Sequence, residues 1–159
     1  MRSVKDVDVK GKRVFVRVDY NLPMDEACNI TDDNRIRATL DLIEYLRQHQ
    51  ARIILASHLG RPKSGPEKKF SLAPAALRLS QLIGHDVLFA GDRVGQGVEE
   101  MVKGLKDGDI LMLENLRFHK EEKSNDPGFA KQLADLCQVY VNNAFAVSHR
   151  DQASVTGMV

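Results

Sequence analysis

RVFVRVDYNLPMDEACNITDDNRIRATLDLIEYLRQHQARIILASHLGR, residues 13–61, contains a strand, a helix and a second strand in one run. The β-branched and aromatic residues of RVFVRVDY, 13–20, read as a strand whose carboxyl end delivers Asp19 and then Asn21. In TDDNRIRATLDLIEYLRQHQ, 31–50, the capping residues Thr31, Asp32 and Asp33 precede a stripe of Ile36, Leu40, Ile43 and Leu46 at helical spacing. That spacing predicts one continuous amphipathic helix. ARIILAS, 51–57, is apolar without alternation, as a parallel strand covered on both faces should be. His58, Gly60 and Arg61 follow it immediately.

The same unit recurs downstream. A Pro- and Lys-rich loop over 61–69 leads to a helix from about 71 to 83, stopped by Gly84, and to a strand at 86–90. A shorter helix around 98–105 precedes a fourth strand, DILMLEN, at 109–115. Asp126 and Pro127 suit the cap and first turn of a helix running through Cys137, and VYVNNAF, 139–145, is the fifth strand. Five strands alternating with four helices through short loops predict an α/β fold, a three-layer Rossmann-like parallel sheet with helices on both faces. No internal repeat or linker divides it, so residues 1–159 are expected to form a single domain.

Composition narrows the function classes. Apolar residues at 43% and charged residues at 28% exclude disorder and fibres, and a formal charge of +1 provides no global field to recruit nucleic acid or an anionic membrane. Neither partner is expected. Cys28 and Cys137 fall in no metal-type spacing and suit free thiols in a reducing compartment. The start, MRSVKDVDVKGKR, is too charged for a signal-peptide core, and the apolar runs are too short to span a bilayer. The expectation is a soluble, cytoplasmic protein with no metal site.

Ligands of open parallel sheets sit beyond the carboxyl ends of the strands. There the first strand places Asp19 and Asn21, the second His58 and Arg61, the fourth Glu114, Asn115 and Arg117, and the fifth Asn142, Asn143, His149 and Arg150. Arg35 and Arg37 open the first helix, where the helix dipole disfavours cations, so they serve an anion or point to solvent. The planar fork of arginine makes paired, charge-assisted bonds to phosphate or carboxylate, so an anionic small molecule, with phosphate favoured, is the economical reading. The alternative for any one arginine is a solvated residue paired with a nearby acid. His49, at a helix end, and His85, in a loop after a helix, read as structural.

Other patterns fail. Gly95 and Gly97 begin a G-x-G that follows a loop and has no third glycine, and no Walker A sequence occurs. His149-Arg150-Asp151 matches the triplet of a kinase catalytic loop, but Thr156 stands where that motif wants Asn. No nucleophile elbow or zinc-protease motif supports covalent or metal catalysis.

RVDYNLP at 17–23, ITDDNRIRATL at 30–40, ILASHLGRPK at 54–63 and LMLENLRFHKEE at 111–122, in this order and spacing, closely resemble phosphoglycerate kinase. The resemblance covers nearly the whole chain and matches the amino-terminal domain of that family. It implies reversible phosphoryl transfer between ATP and 3-phosphoglycerate in glycolysis, by closure of two domains. The carboxyl-terminal domain, which binds Mg-ATP or Mg-ADP in the family, has no counterpart here, so the chain alone is expected to need no cofactor and to be inactive.

Carried over by position, the resemblance implies that His58, Arg61, Arg117 and Arg150 hold the phosphate of 3-phosphoglycerate, with Leu59 and Gly60 beside them. It implies that Asp19 and Asn21 orient the glycerate end and that Arg17 and His149 complete a basic patch. Arg35 lies nearest the carboxylate that exchanges the phosphoryl group and is the catalytic candidate. The family pattern NDAFGTAHRAHAS reads NNAFAVSHRDQAS at 142–154, with Asn143 in place of an acid, Ala146 of a glycine and Gln152 of a histidine, while Asp151 stands beside Arg150. A second reading is a stand-alone phosphate-ligand binding module without catalysis.

Overall fold

Strands β1 (Arg13–Val18), β2 (Arg52–Ala56), β3 (Val87–Phe89), β4 (Ile110–Met112) and β5 (Val139–Asn143) form one sheet in the order β3-β4-β2-β1-β5. All of its pairings are parallel, and the register sets Arg17 of β1 opposite Ala56 of β2 on one side and Asn142 of β5 on the other. The computed structural model describes residues 7–60, 68–91, 96–116, 131 and 133–143. Helices α1 (Asn34–Arg37), α2 (Leu40–Gln48), α3 (Ala73–Ile83) and α4 (Gln96–Lys103) connect the strands, with a 3-10 turn at Lys68–Phe70.

The lack of alternation in ARIILAS has a direct cause. Ile53 and Leu55 point into one buried cluster with Val14, Val16, Val18, Ile36, Ile43, Leu46, Leu72 and Leu79. Ile54 and Ala56 point into a second, with Phe15, Leu111, Val98, Val102, Leu133 and Leu136. Helices α1, α2 and α3 thus cover one face while α4 and the residues around Leu133 cover the other, which is the expected three-layer arrangement. Each fully buried Val, Leu or Ile contributes on the order of 1.5–3 kcal/mol.

The helix expected over 31–50 is broken. Observed α1 and α2 are separated at Ala38 and Thr39, and the reason is the Thr39 side chain, whose Oγ1 donates to the Ile36 carbonyl at 2.7 Å. The Tyr20 hydroxyl lies 2.6 Å from the same Oγ1, so a threonine bonded to its own preceding turn also ties that turn to the end of β1. Burial drives the Tyr20 phenol far above its ordinary range. The cap also differs: Asp32 Oδ1 accepts the Asn34 N–H at 2.8 Å, Thr31 donates to the Pro23 carbonyl, and Asp33 makes no cap bond of its own.

Elsewhere the elements are two to four residues shorter than expected or shifted, as with β4 at Ile110–Met112 in place of 109–115 and α4 at Gln96–Lys103 in place of 98–105. Gly84 ends α3 in the left-handed conformation, at φ 66°, as its position predicts. The 61–67 loop, most of the helix expected over 126–137 and residues 144–159 lie outside the described residues. Cys28 and Cys137 are free thiols, and burial raises the Cys137 thiol.

Candidate functional site

Three parallel strands end side by side, and their carboxyl ends carry the polar residues of the site. Past β1, Asp19 Oδ1 accepts the Asn21 N–H at 3.3 Å and the Arg35 Nη1–H at 3.1 Å. Arg35 Nη1 donates a second bond to the Asn21 carbonyl at 2.8 Å. Arg35 therefore pairs with Asp19 across the gap between β1 and α1, instead of with an acid of its own helix. Its neighbour Arg37 takes the intrahelical option with Asp33, at 2.9 Å, and Arg78 of α3 reaches the same carboxylate. The Arg37 and Arg78 hydrogen bonds hold Asp33 below the ordinary carboxylate range.

Past β2, the Gly60 N–H donates to Asn21 Oδ1 at 2.8 Å, linking the two strand ends directly. Gly60 adopts φ +61°, and a Cβ there would stand 2.4 Å from Phe70 Cε1, so both backbone and space require glycine. Ser57 Oγ accepts the Tyr20 N–H at 2.9 Å and donates to the His58 carbonyl at 3.0 Å. Arg17 is fully buried, and its Nη2 lies 3.2 Å from His58 Nδ1 while Nη1 donates to the Val18 carbonyl.

Two residues expected at the rim do something else. Glu114 and Asn115, past β4, are buried and used as braces. Glu114 accepts from Ser71 Oγ at 2.8 Å and from the Leu72 N–H at 2.9 Å, at the start of α3. The Asn115 carboxamide accepts the Leu59 N–H at 3.1 Å and donates to the carbonyls of Leu59 and Phe70, at 2.7 and 2.9 Å. A buried backbone amide and carbonyl need partners, and one side chain serves both for Leu59. Sequence reasoning missed this role of Asn115 and that of Ser57. The polar residues immediately past an apolar strand were the available signal, and it does not distinguish a ligand group from a brace.

The structure thus brings together Arg17, Asp19, Asn21, Arg35, His58, Leu59 and Gly60. A cavity of about 520 Å³ opens beside them, lined by Asn21, Leu22, Pro23, Asp32, Asn34 and Arg35. A larger cleft of about 610 Å³ lies between the 28–33 loop and α3, where Arg78 is already paired with Asp33, and it holds none of these seven residues. Asn142 is exposed beside β1, whereas Arg61, Arg117, His149 and Arg150 lie outside the described residues. His49 stacks on Tyr45 and His85 bonds to the Asp86 carbonyl, both away from the site, as structural histidines do.

Among the described residues no group of three His, Cys, Asp or Glu could hold a metal ion, and no helix is long and apolar enough to cross a membrane. What the arrangement offers is hydrogen-bond donors and positive charge around the strand ends, which suits an anion.

Comparison with known proteins identifies relatives of the chain. The chain is 58% identical over 158 residues to a phosphoglycerate kinase of Desulforapulum autotrophicum, covering 99% of this chain and 40% of the relative. It is 55% identical to a cytosolic phosphoglycerate kinase of Nicotiana tabacum, with 98% and 39% covered. Among solved structures, phosphoglycerate kinases from Pyrococcus horikoshii and Coxiella burnetii superpose with TM-scores of 0.90 and 0.87, at 35% and 38% identity, over 99% of this chain and 40% and 38% of theirs. The chain therefore spans about 40% of the length of these relatives. The family model described as phosphoglycerate kinase matches residues 4–159, and the chain belongs to that family.

Proposed function

We propose that this chain supplies the 3-phosphoglycerate-binding part of a cytoplasmic phosphoglycerate kinase that exchanges a phosphoryl group between ATP and 3-phosphoglycerate. The observation that carries this reading is the convergence of Asp19, Asn21, Arg35, His58 and Gly60 at one end of the sheet, in a chain whose family match spans 4–159. In the proposal Arg61, Arg117 and Arg150 hold the distal phosphate with His58, and Arg17 and His149 extend the basic patch. Asp19 and Asn21 orient the glycerate end.

Arg35 is assigned to the transferring group. Both of its bonds use Nη1, and the pair with Asp19 is half-exposed, worth at most about 1 kcal/mol. A guanidinium has five N–H donors, so a ligand oxygen approaching Nη2 or Nε need not displace Asn21. The nucleophile is the substrate carboxylate, already ionised, so no general base is required. Catalysis consists of positioning and of neutralising charge on the migrating group. Mg-ATP supplies that group and its counter-charge. The contacts to the nucleotide are assigned to sequence that this chain does not contain, and the chain alone should transfer no phosphate.

Calorimetric titration with 3-phosphoglycerate and with glycerate tests the reading. Weak binding of 3-phosphoglycerate that falls with added salt is expected, because exposed charges are screened at moderate ionic strength. Equal affinity for glycerate would remove the phosphate role.

A further inference from the structure

Among the described residues Arg17 is the largest fully buried side chain, a cation in the interior at the point where β1 ends. Its Nη2 lies 3.2 Å from His58 Nδ1, and His58 is itself only 3% exposed. A guanidinium donates and never accepts, so the nitrogen facing it must present a lone pair. A neutral imidazole has one proton, which then resides on Nε2.

We infer that Arg17 is a positioning residue for His58: it fixes the ring as the Nε2–H tautomer, so that His58 meets an anionic ligand as a directional hydrogen-bond donor through that nitrogen. The backbone supports this from both sides. Register sets Arg17 opposite Ala56, two residues before His58, and Arg17 Nη1 is held on the Val18 carbonyl at 3.2 Å. The Ser57 hydroxyl, placed by the Tyr20 N–H, bonds the His58 carbonyl and so fixes the main chain that bears the ring. Neither partner can turn away without giving up a buried hydrogen bond. The ligand half of the inference rests on the proposed 3-phosphoglycerate site, whereas the tautomer does not.

Long-range proton-nitrogen correlation spectra of the unliganded chain read the tautomer directly. A pyridine-like His58 Nδ1 with a pyrrole-like Nε2 is expected, and the reverse pattern or an averaged one would overturn the inference. Arg17→Met should produce a mixture of tautomers and weaken 3-phosphoglycerate binding about fivefold, the equivalent of one hydrogen bond. An unchanged spectrum in that variant would show that Arg17 does not set the tautomer. Should Arg17→Met fail to fold, substitution at His58 carries the test. The side-chain amide of His58→Gln reaches about as far as Nε2 and should keep affinity within about threefold, whereas His58→Asn, reaching only as far as Nδ1, should lose about tenfold. The opposite order, or full affinity in His58→Lys, would show that charge and not the Nε2 donor is recognised. Absence of any 3-phosphoglycerate binding by the unaltered chain would sink the proposed site, while the spectra would still decide the tautomer.

Discussion

Replacing Asn115 with alanine removes three hydrogen bonds at once, from the Leu59 N–H and to the carbonyls of Leu59 and Phe70. Asn115 is fully buried, so no water takes over from the lost carboxamide without rearrangement. At about 1 kcal/mol net for each bond, Asn115→Ala should cost about 3 kcal/mol, and more if the freed backbone groups stay dry. With a urea slope of about 2 kcal/mol per molar, the unfolding midpoint should fall by about 1.5 M. In a thermal scan the loss corresponds to about 6–12 °C. Asn115→Asp is the sharper variant. It keeps the acceptor for Leu59 but turns an anionic oxygen toward two carbonyls, so at neutral pH it should be at least as destabilising as alanine. Parallel urea titrations of the three proteins decide the matter. If both variants lie within about 1 kcal/mol of the unaltered chain, the carboxamide is not what joins the Leu59 and Phe70 stems, and the brace described here is wrong.

Glycine positions offer an internally controlled comparison. Gly60→Ala combines left-handed strain with a Cβ 2.4 Å from the Phe70 ring and should cost about 2–3 kcal/mol, whereas Gly84→Ala, at φ 66° with nothing within 4 Å, should cost about 1 kcal/mol in the same urea assay. In an enzyme that joins this chain to a nucleotide-binding part, Arg35→Ala should lower kcat about a hundredfold, about 3 kcal/mol, while Arg61→Ala should act mainly on KM; steady-state kinetics showing the reverse would exchange the two ends of the substrate. Asp33 has a folded-state pKa below its unfolded value, so its contribution is present above about pH 4 and lost as pH falls further, and Asp33→Asn should flatten that acid limb of the stability curve. Tyr20 has the opposite shift for an acid: its contribution is complete below about pH 10 and lost above, and Tyr20→Phe should move alkaline unfolding upward in a pH titration followed by circular dichroism.

The strands and the two-faced core were legible because each strand had to satisfy a simple condition. A central parallel strand has no solvent face, and Ile53, Ile54 and Leu55 in a row state that directly. The break at Thr39 was not legible, since the apolar stripe runs through it unbroken from Ile36 to Leu46 and only the tertiary partner Tyr20 gives the threonine hydroxyl a reason to leave the helical pattern. In the site, Asp19, Asn21, His58 and Gly60 followed from their place after a strand. Position alone could not separate these from Glu114 and Asn115, which have the same polarity and the same place but turn inward to brace α3 and the Leu59 turn. The partner of Arg35 was also hidden, because Asp19 is 16 residues away in sequence while Asp32 and Asp33 stand immediately before the helix.

The strand order bears on how the chain is made. β1 is the first strand to be synthesised, yet one of its two neighbours is β5, and the Arg13 N–H bonds a side chain 125 residues later, Gln138. At about 5–20 residues per second, the interval between completing Val18 and completing Asn143 is roughly 6–25 s. During that interval β1 can pair with β2 on one side only, and its other side stays an open row of amide and carbonyl groups flanked by Val14, Phe15 and Val16. An unpaired apolar edge of that kind is a template for pairing with another chain. The nascent polypeptide therefore passes through a period in which self-association competes with arrival of β5, so slowing synthesis between residues 60 and 139 should lower the soluble yield even though the finished fold is the same.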